Sequence, residues 1–258
     1  MSMNVLTRNA LGRAVLGMVG MLVLLGCWWL MTVPFSAAGG MGQRFAPGPS
    51  LSTLFELLQG REIWIHISAS LQRVAVGLGF ALLAGVPLGL LLGASSMMNA
   101  TLSPAFQFLR MISPLSWMPI AVMAFGVGDK PVYFLLAFAA MWPIMLNTLA
   151  GVKHLDGRWM QLAQSLSATR WETLKGVIIP GVLGHILTGV RLAIGIVWIV
   201  LVPCEMLGVS AGLGYFILDT RDRLAYHELM ATVVLIGLLG FLLDTACREL
   251  YSYWSKSR

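Results

Sequence analysis

Long uncharged apolar runs alternate with short polar interruptions along this chain, and the run lengths predict membrane-crossing helices. Ala14 to Val33 is free of charge and, at about 1.5 Å per residue, long enough for a hydrocarbon core about 30 Å thick. Val74 to Gln107 carries no charged residue, which accommodates a second span and the start of a third. Asn99 to Ser103 reads as the turn between them. The third span then runs from Pro104 to about Phe125, with Pro114 and Pro119 inside it. Prolines there free backbone carbonyls, which neighbouring helices or a watery path must satisfy. Pro131 to Val152 makes a fourth span. Gly181 to Pro203 makes a fifth, enclosing Arg191 and closed by Glu205, and Leu229 to Tyr251 a sixth. The expected fold is an all-α membrane protein with six transmembrane helices. Trp28 and Trp29, near the end of the first run, suit a membrane interface. Ser36-Ala37-Ala38 has the small residues of a signal-peptidase site. The run before it exceeds the roughly 7–15 residues of a signal sequence, so an uncleaved first span is expected.

The connectors carry their own patterns. Phe35 to roughly Ser70 reads as an external connector in which Pro47-Gly48-Pro49-Ser50 breaks the chain. Leu51, Leu54, Phe55 and Leu58 then mark an interfacial helix. Gly126 to Pro131 is a tight turn. Gly212-x-Gly214 lacks the third glycine and preceding strand of a dinucleotide fingerprint. Within the second span Gly77, Ala81, Gly85, Gly89 and Gly93 recur every fourth residue, so another helix can approach closely. That stripe fits a seam with a second copy or packing within one subunit; the latter is what every multi-span bundle needs.

Gly151 to Pro180 is the longest polar interruption in the C-terminal two-thirds. Trp159, Leu162, Ala163 and Leu166 fall at i, i+3, i+4 and i+7 on one helical face, with Arg158, Gln161, Gln164 and Ser165 mostly opposite. Asp156 is the expected N-cap. Ser167 and Ala168 make a turn, and Thr169-x-x-Glu172 opens a second helix with a capping box. Pro180 should bend or end that helix. A helix-turn-helix held between two spans predicts a docking unit; the plain alternative is a loop with no partner.

Composition and charge narrow the class. With 58% hydrophobic and 11% charged residues and a mean hydropathy of +0.82, the chain is not an ordinary soluble domain. The net charge of +6 sits at the ends of apolar segments, which favours membrane topology over nucleic acid. Arg8 and Arg13 precede the first span; Lys153, Arg158, Arg170 and Lys175 dominate the 151–180 loop; Arg248, Lys256 and Arg258 follow the sixth span. The other side balances Lys130 with Asp129, and Arg221 and Arg223 with Glu205, Asp219, Asp222 and Glu228. The positive-inside rule therefore places both termini and the 151–180 loop in the cytoplasm. Cys27, Cys204 and Cys247, like the four histidines, show no metal-ligand spacing.

The 151–180 loop is similar to the "EAA" loop of ABC-importer permeases. Gln161, Leu162 and Ala163 stand at the Glu-Ala-Ala positions, Ser167 at the glycine, and Val177, Ile179 and Pro180 at the closing Ile-x-Leu-Pro. The spacing holds, while Gln161, Leu162 and Ser167 depart from the usual residues. Further stretches resemble the nitrate/sulfonate/taurine branch of that family: His66-x3-Ser70-Leu71-Gln72-Arg73, Gly85-Val86-Pro87-Leu88-Gly89, Pro114-x2-Trp117-x-Pro119, Pro143-x3-Asn147-Thr148, and Glu205-Met206-Leu207-Gly208 through Gly212-Leu213-Gly214-Tyr215. The resemblance implies a type I ABC transmembrane fold in the bacterial inner membrane. It covers about residues 47–254, after a tail and first span over 1–46 and before a short tail over 255–258.

The same resemblance implies partners and roles. A second permease copy, a cytoplasmic ABC ATPase dimer and a periplasmic or lipid-anchored substrate-binding protein complete the importer. The chain itself holds no cofactor, ATP and Mg lying on the ATPase. Coupling falls to Trp159, Gln161, Leu162, Ala163, Gln164, Ser165, Leu166, Ser167, Ala168, Thr169 and Arg170. The sequence agrees in one respect: no lysine stands in a phosphate-cradling G-x4-G-K-[ST] loop. Expected pathway residues are Pro114, Trp117, Asn147, Thr148, Thr188, Arg191, Glu205 and Met206. Arg191, and Arg110 near the inner end of the third span, either meet an anion or snorkel to the interface. Glu205 either shapes an external gate or pairs with Arg73. Uptake of a small oxyanion (nitrate, an aliphatic sulfonate or taurine) is the leading reading. The alternatives are another small nutrient or an ATP-independent secondary transporter, which would leave the helix-turn-helix unexplained.

Overall fold

A computed structural model describes residues 10–34 and 40–256. Arg8, the Phe35 to Ala38 stretch and Arg258 lie outside the described residues, as do the side chains of Arg13 and Lys256. The described residues form helices and no strand: α1 (Ala10–Thr32), α2 (Met41–Arg44), α3 (Pro47–Gln59), α4 (Glu62–Ala94), α5 (Ser96–Met111), α6 (Met118–Phe125), α7 (Asp129–Lys153), α8 (Gly157–Ser165), α9 (Arg170–Thr173), α10 (Ile179–Met206), α11 (Leu213–Asp222) and α12 (Tyr226–Lys256). Among the described residues, five helices are long and apolar enough to cross a membrane, or up to six if the bent pair of α5 and Pro114–Phe125 counts as one span.

The chain divides into two compact units, Met1–Ile63 with Asp219–Leu235, and Trp64–Leu218 with Ile236–Arg258. In the first, α1 leaves Met18, Leu22 and Met31 exposed, as a lipid-facing helix does. The Trp28 indole donates to the Phe45 carbonyl at 2.9 Å, and Phe45 packs edge-on against Tyr226. Pro47 opens α3, where a missing N–H costs nothing. Leu54 is buried while Leu51 and Phe55 stay exposed, the division expected of a helix lying at an interface.

In the second unit α7 is the hub, with half of its apolar stretch buried. The glycine stripe of α4 faces it. A Cβ at Gly77 would stand 2.7 Å from Leu136 Cβ, one at Gly85 2.9 Å from the Met141 carbonyl oxygen, and one at Gly93 2.5 Å from Val152 Cβ. The stripe therefore serves packing within one subunit. On α7's other flank Gly189 of α10 leaves room for the Pro143 carbonyl and Ile144 Cα, each 3.0 Å from where its Cβ would be. Ala81, Ala121, Leu136, Ile144, Val197 and Leu201 fill the core between these helices. Gly89→Leu is expected to cut the yield of monodisperse protein severalfold, since even a Cβ would meet the Met145 carbonyl and Thr148 Cβ at 2.6 Å. Size-exclusion chromatography after gentle extraction reads this, and an unchanged profile would show the contact to be dispensable.

Several sequence expectations are corrected here. α4 begins at Glu62, so the connector expected to run to roughly Ser70 is helical from there and Arg73 lies inside the helix, not at its outer end. Asn99 to Ser103 is helical, and the break falls at Ser95, whose hydroxyl caps α5 by accepting from the Met98 N–H. The third span is not one rod. α5 stops at Met111, Ile112 and Ser113 are extended, and a 3-10 turn over Pro114–Trp117 leads into α6 after an 87° bend. Pro114 is the cause, because its ring excludes the preceding residue from helical backbone. Pro180 neither ends nor breaks its helix. A π turn over Leu174–Ile178 precedes α10, with the Ile179 N–H reaching Leu174 O, and the proline falls in the first turn of α10 where a lost donor is tolerated. The i, i+4 spacing of Asp244 and Arg248 predicts a pair near the end of the sixth span, but Asp244 meets Arg191 instead, at 3.5 Å.

Candidate functional site: a helical docking unit and a buried ionic knot

The helix-turn-helix forms as its local signals dictate. Asp156 Oδ1 accepts from the Arg158 N–H at 2.9 Å and caps α8. At its other end, the Ala168 N–H reaches Ala163 O and the Ser167 N–H reaches Gln164 O, the paired bonds of a Schellman motif. That motif needs a left-handed residue at 167, and Ser167 adopts φ 52°. A glycine would sit there freely; a serine bears roughly 1–2 kcal/mol of strain, so the departure at this position keeps the turn at a cost. Thr169 and Glu172 close a complete capping box on α9.

The resulting surface is unusual for a polar loop. Ala163 is buried, which anchors α8, whereas Trp159, Leu162 and Leu166 are 57, 49 and 73% exposed. Trp171, on α9, is also exposed and carries Lys175 Nζ 4.6 Å from its ring centre. Gln161, Gln164, Ser165, Ala168, Thr169 and Arg170 surround this apolar patch and are not buried. Behind α8 lies a cavity of about 400 Å³, beside which His154 and His185 stack at 5.9 Å.

At the other end of α7, a second cluster gathers charges that lie up to 132 positions apart in the sequence. His66, Ser70 and Arg73 fall at i, i+4 and i+7 and so share one face of α4. Arg73 donates through Nη1 to Glu205 Oε1 at 2.6 Å and to the Ala211 carbonyl at 2.6 Å. Its Nε and Nη2 both reach Asp129 Oδ1, at 2.9 and 2.7 Å. Ser70 Oγ donates to the Glu205 carboxylate at 2.7 Å. Three successive backbone N–H groups complete the cage: Gly212 to His66 Nδ1 at 3.0 Å, Leu213 to Ser70 Oγ at 2.9 Å, and Gly214 to Glu205 Oε2 at 2.9 Å. Gly212 has φ +127°, and side chains at 212 or 214 would collide with Arg73, Glu205 or the Val202 carbonyl. The glycines thus exist to wrap backbone around a buried carboxylate. Glu205 is fully buried, so of its two sequence readings the structure realises the pairing with Arg73. Asp129, Ser70 and the backbone donors were missed; the helical spacing of His66, Ser70 and Arg73 was the available signal.

The remaining residues expected to line a pathway are dispersed. Asn147, Thr148 and Thr188 each donate to the carbonyl four residues back on their own helix, and Thr148 is fully buried. Trp117 packs on Phe138 at 5.6 Å, Arg191 meets Asp244, and Met206 ends α10. Pro114 alone of this set lines a cavity of about 230 Å³ beside the α5 break.

The comparisons agree with this architecture. The family model "Binding-protein-dependent transport system inner membrane component" matches residues 85–254. The nitrate import permease NrtB of Leptolyngbya laminosa is 38% identical, over 69% of this chain and 64% of that protein. The bicarbonate transport permease CmpB of Synechococcus elongatus is 34% identical over 92% of this chain and 88% of its own length. The taurine transport permease TauC of Escherichia coli is 34% identical over 94% and 90%. Among solved structures, an inward-facing MetNI methionine ABC transporter chain superposes with a TM-score of 0.59, at 15% identity, over 74% of this chain and 96% of that one; at that identity the likeness speaks to fold. The chain belongs to the binding-protein-dependent inner-membrane component family, and is a permease subunit of an ABC importer of the bacterial inner membrane.

Proposed function

We propose that two copies of this chain form a path for a small oxyanion, which a periplasmic or lipid-anchored binding protein delivers and a separate ATPase dimer drives inward. In this reading the 151–180 loop and both termini face the cytoplasm, and the transport domain spans 47–254. The apolar face of α8 carries the proposal: Trp159, Leu162 and Leu166 stand exposed on a polar loop, where neither the core of this chain nor a hydrocarbon layer accounts for them. ATP-driven closure of the ATPases would move α8 and α9 and switch the path between inward and outward states. The oxyanion reading draws on the relatives named for nitrate, bicarbonate and taurine, each carrying a negatively charged oxygen group. The test is to isolate the tagged chain gently from its host, then reconstitute what accompanies it. An ATPase in a 2:2 complex, with ATP-dependent accumulation of nitrate, bicarbonate or taurine, is expected. Anion flux through the purified chain alone would replace this reading with a secondary transporter.

A further inference from the structure

A cavity of about 560 Å³ lies where α4 and α7 end against α8 and the π turn before α10. Leu91 and Ala94 of α4, Leu155, Met160 of α8, and Leu174 and Ile178 of the π turn line it, and every other lining residue is apolar too. Such a lining takes hydrocarbon in preference to water. An apolar track leads to it along α4. Phe80, Leu83, Pro87, Leu91 and Ala94 are exposed and fall at i, i+3, i+7, i+11 and i+14, on the side of the helix opposite its glycine stripe. The track is about 21 Å long at 1.5 Å per residue, more than one leaflet's half of a hydrocarbon core about 30 Å thick. Cations stand beside its end. Trp171, Leu174, Lys175 and Ile178 fall at i, i+3, i+4 and i+7, which sets an exposed tryptophan and an exposed lysine next to two lining residues. Lys175 Nζ is 4.6 Å from the Trp171 ring centre. Exposed Lys153 follows the lining residue Val152. Neither lysine has a carboxylate partner among the described residues. The loop's own carboxylates are engaged: Asp156 caps α8 and Glu172 closes the box on α9.

We propose that this cavity holds one acyl chain of an anionic phospholipid, whose phosphate meets Lys175 and Lys153 at the membrane boundary. Tryptophan and lysine at the end of a span, beside a hydrocarbon-lined groove, suit lipid headgroups. The two unpaired lysines favour such a lipid over a second copy of this chain, which carries a net charge of +6. The lipid would join α4 to α8 and the π turn, so leaflet composition would set how firmly the docking unit is held. That consequence for ATPase coupling rests on the importer reading above; the lipid site itself does not.

The test takes the permease with whatever accompanies it on gentle extraction, strips it of lipid in detergent and follows it by native mass spectrometry. Dioleoylphosphatidylglycerol and dioleoylphosphatidylcholine are the probes. One phosphatidylglycerol per permease chain is expected to bind saturably, at least about fivefold more tightly than phosphatidylcholine. Lys175→Gln should weaken phosphatidylglycerol about fivefold and leave phosphatidylcholine unchanged, the effect of one cation at a charged headgroup. Ala94→Trp fills the cavity from an exposed position and should weaken both lipids roughly tenfold or more, as losing two or so buried methylenes implies. Melting temperature reports whether each variant is folded, and Leu91→Gln, also at an exposed position, takes its place if Ala94→Trp does not assemble. Equal binding of the two lipids, or a lipid count that neither cavity variant changes, overturns the site. So does a permease dimer that Ala94→Trp splits at constant lipid count, because the cavity would then belong to a seam between copies. An extracted complex without an ATPase would count against the importer reading and leave the lipid result standing.

Discussion

Leu166→Arg is expected to release the ATPase while leaving the permease folded. Leu166 is 73% exposed and sits at the C-cap of α8, where a long polar side chain meets only solvent in the isolated subunit. The capping bonds around it run through backbone atoms and do not depend on its side chain. In a docked complex the same position would join Trp159 and Leu162 in a desolvated groove. An unpaired guanidinium placed there costs about 3 kcal/mol or more, roughly a hundredfold in affinity. A leucine-to-alanine change would remove less, which is why the charge is the sharper probe. The measurement is the ratio of ATPase to permease after affinity purification, together with the permease melting temperature. Wild-type copurification would remove α8 from the interface; a large drop in melting temperature would mean that Leu166 serves the fold instead.

The second large effect concerns the knot. Arg73→Met should destabilise the permease by about 3–5 kcal/mol, because it strands a fully buried Glu205 carboxylate. Asp129→Asn should cost about 1 kcal/mol or less, since that carboxylate is half exposed and water replaces its partner. Arg73→Met with Glu205→Leu should recover part of the loss, because no unpaired charge remains. Ser70 and Gly214 still lose their partner in that double variant, so recovery stays incomplete. Thermal unfolding in detergent orders the three variants. Equal melting temperatures for Arg73→Met and Asp129→Asn would mean that the carboxylate is hydrated rather than caged.

Local signals carried over faithfully from sequence to structure. Asp156, the Thr169-x-x-Glu172 box and the four-residue glycine repeat each act through atoms within a turn or two, so their spacing states their geometry. The errors share a different cause. Arg73 reads as the edge of a membrane span because charge is costly in lipid, yet its partners Asp129 and Glu205 lie 56 and 132 residues away. Ser95 breaks the chain with neither proline nor glycine, while Pro104 is accommodated within α5. Pro180 reads as a stop, but a π turn before it absorbs the misfit. The residues expected to line a pathway were the least legible. Asn147, Thr148 and Thr188 look available for a solute, and only the folded helices reveal that each donates to its own backbone.

The stretch from Arg170 to Met206 has a mechanical consequence. It runs as 37 nearly continuous helical residues, roughly 55 Å at 1.5 Å each, with the docking unit at one end and caged Glu205 at the other. Glu205's hydrogen bonds hold the far end of that rod, so under the proposed function a torque applied at α8 and α9 would not be lost by swinging the whole helix. In the proposed stroke, the π turn over Leu174–Ile178 would be the joint in that drive shaft, because its hydrogen-bond register differs from the α-helix on either side. Passing one residue between π and α register there would rotate the two segments by about 100° relative to each other. The gearing of the stroke would then lie in backbone hydrogen bonds, where side-chain substitution leaves little trace.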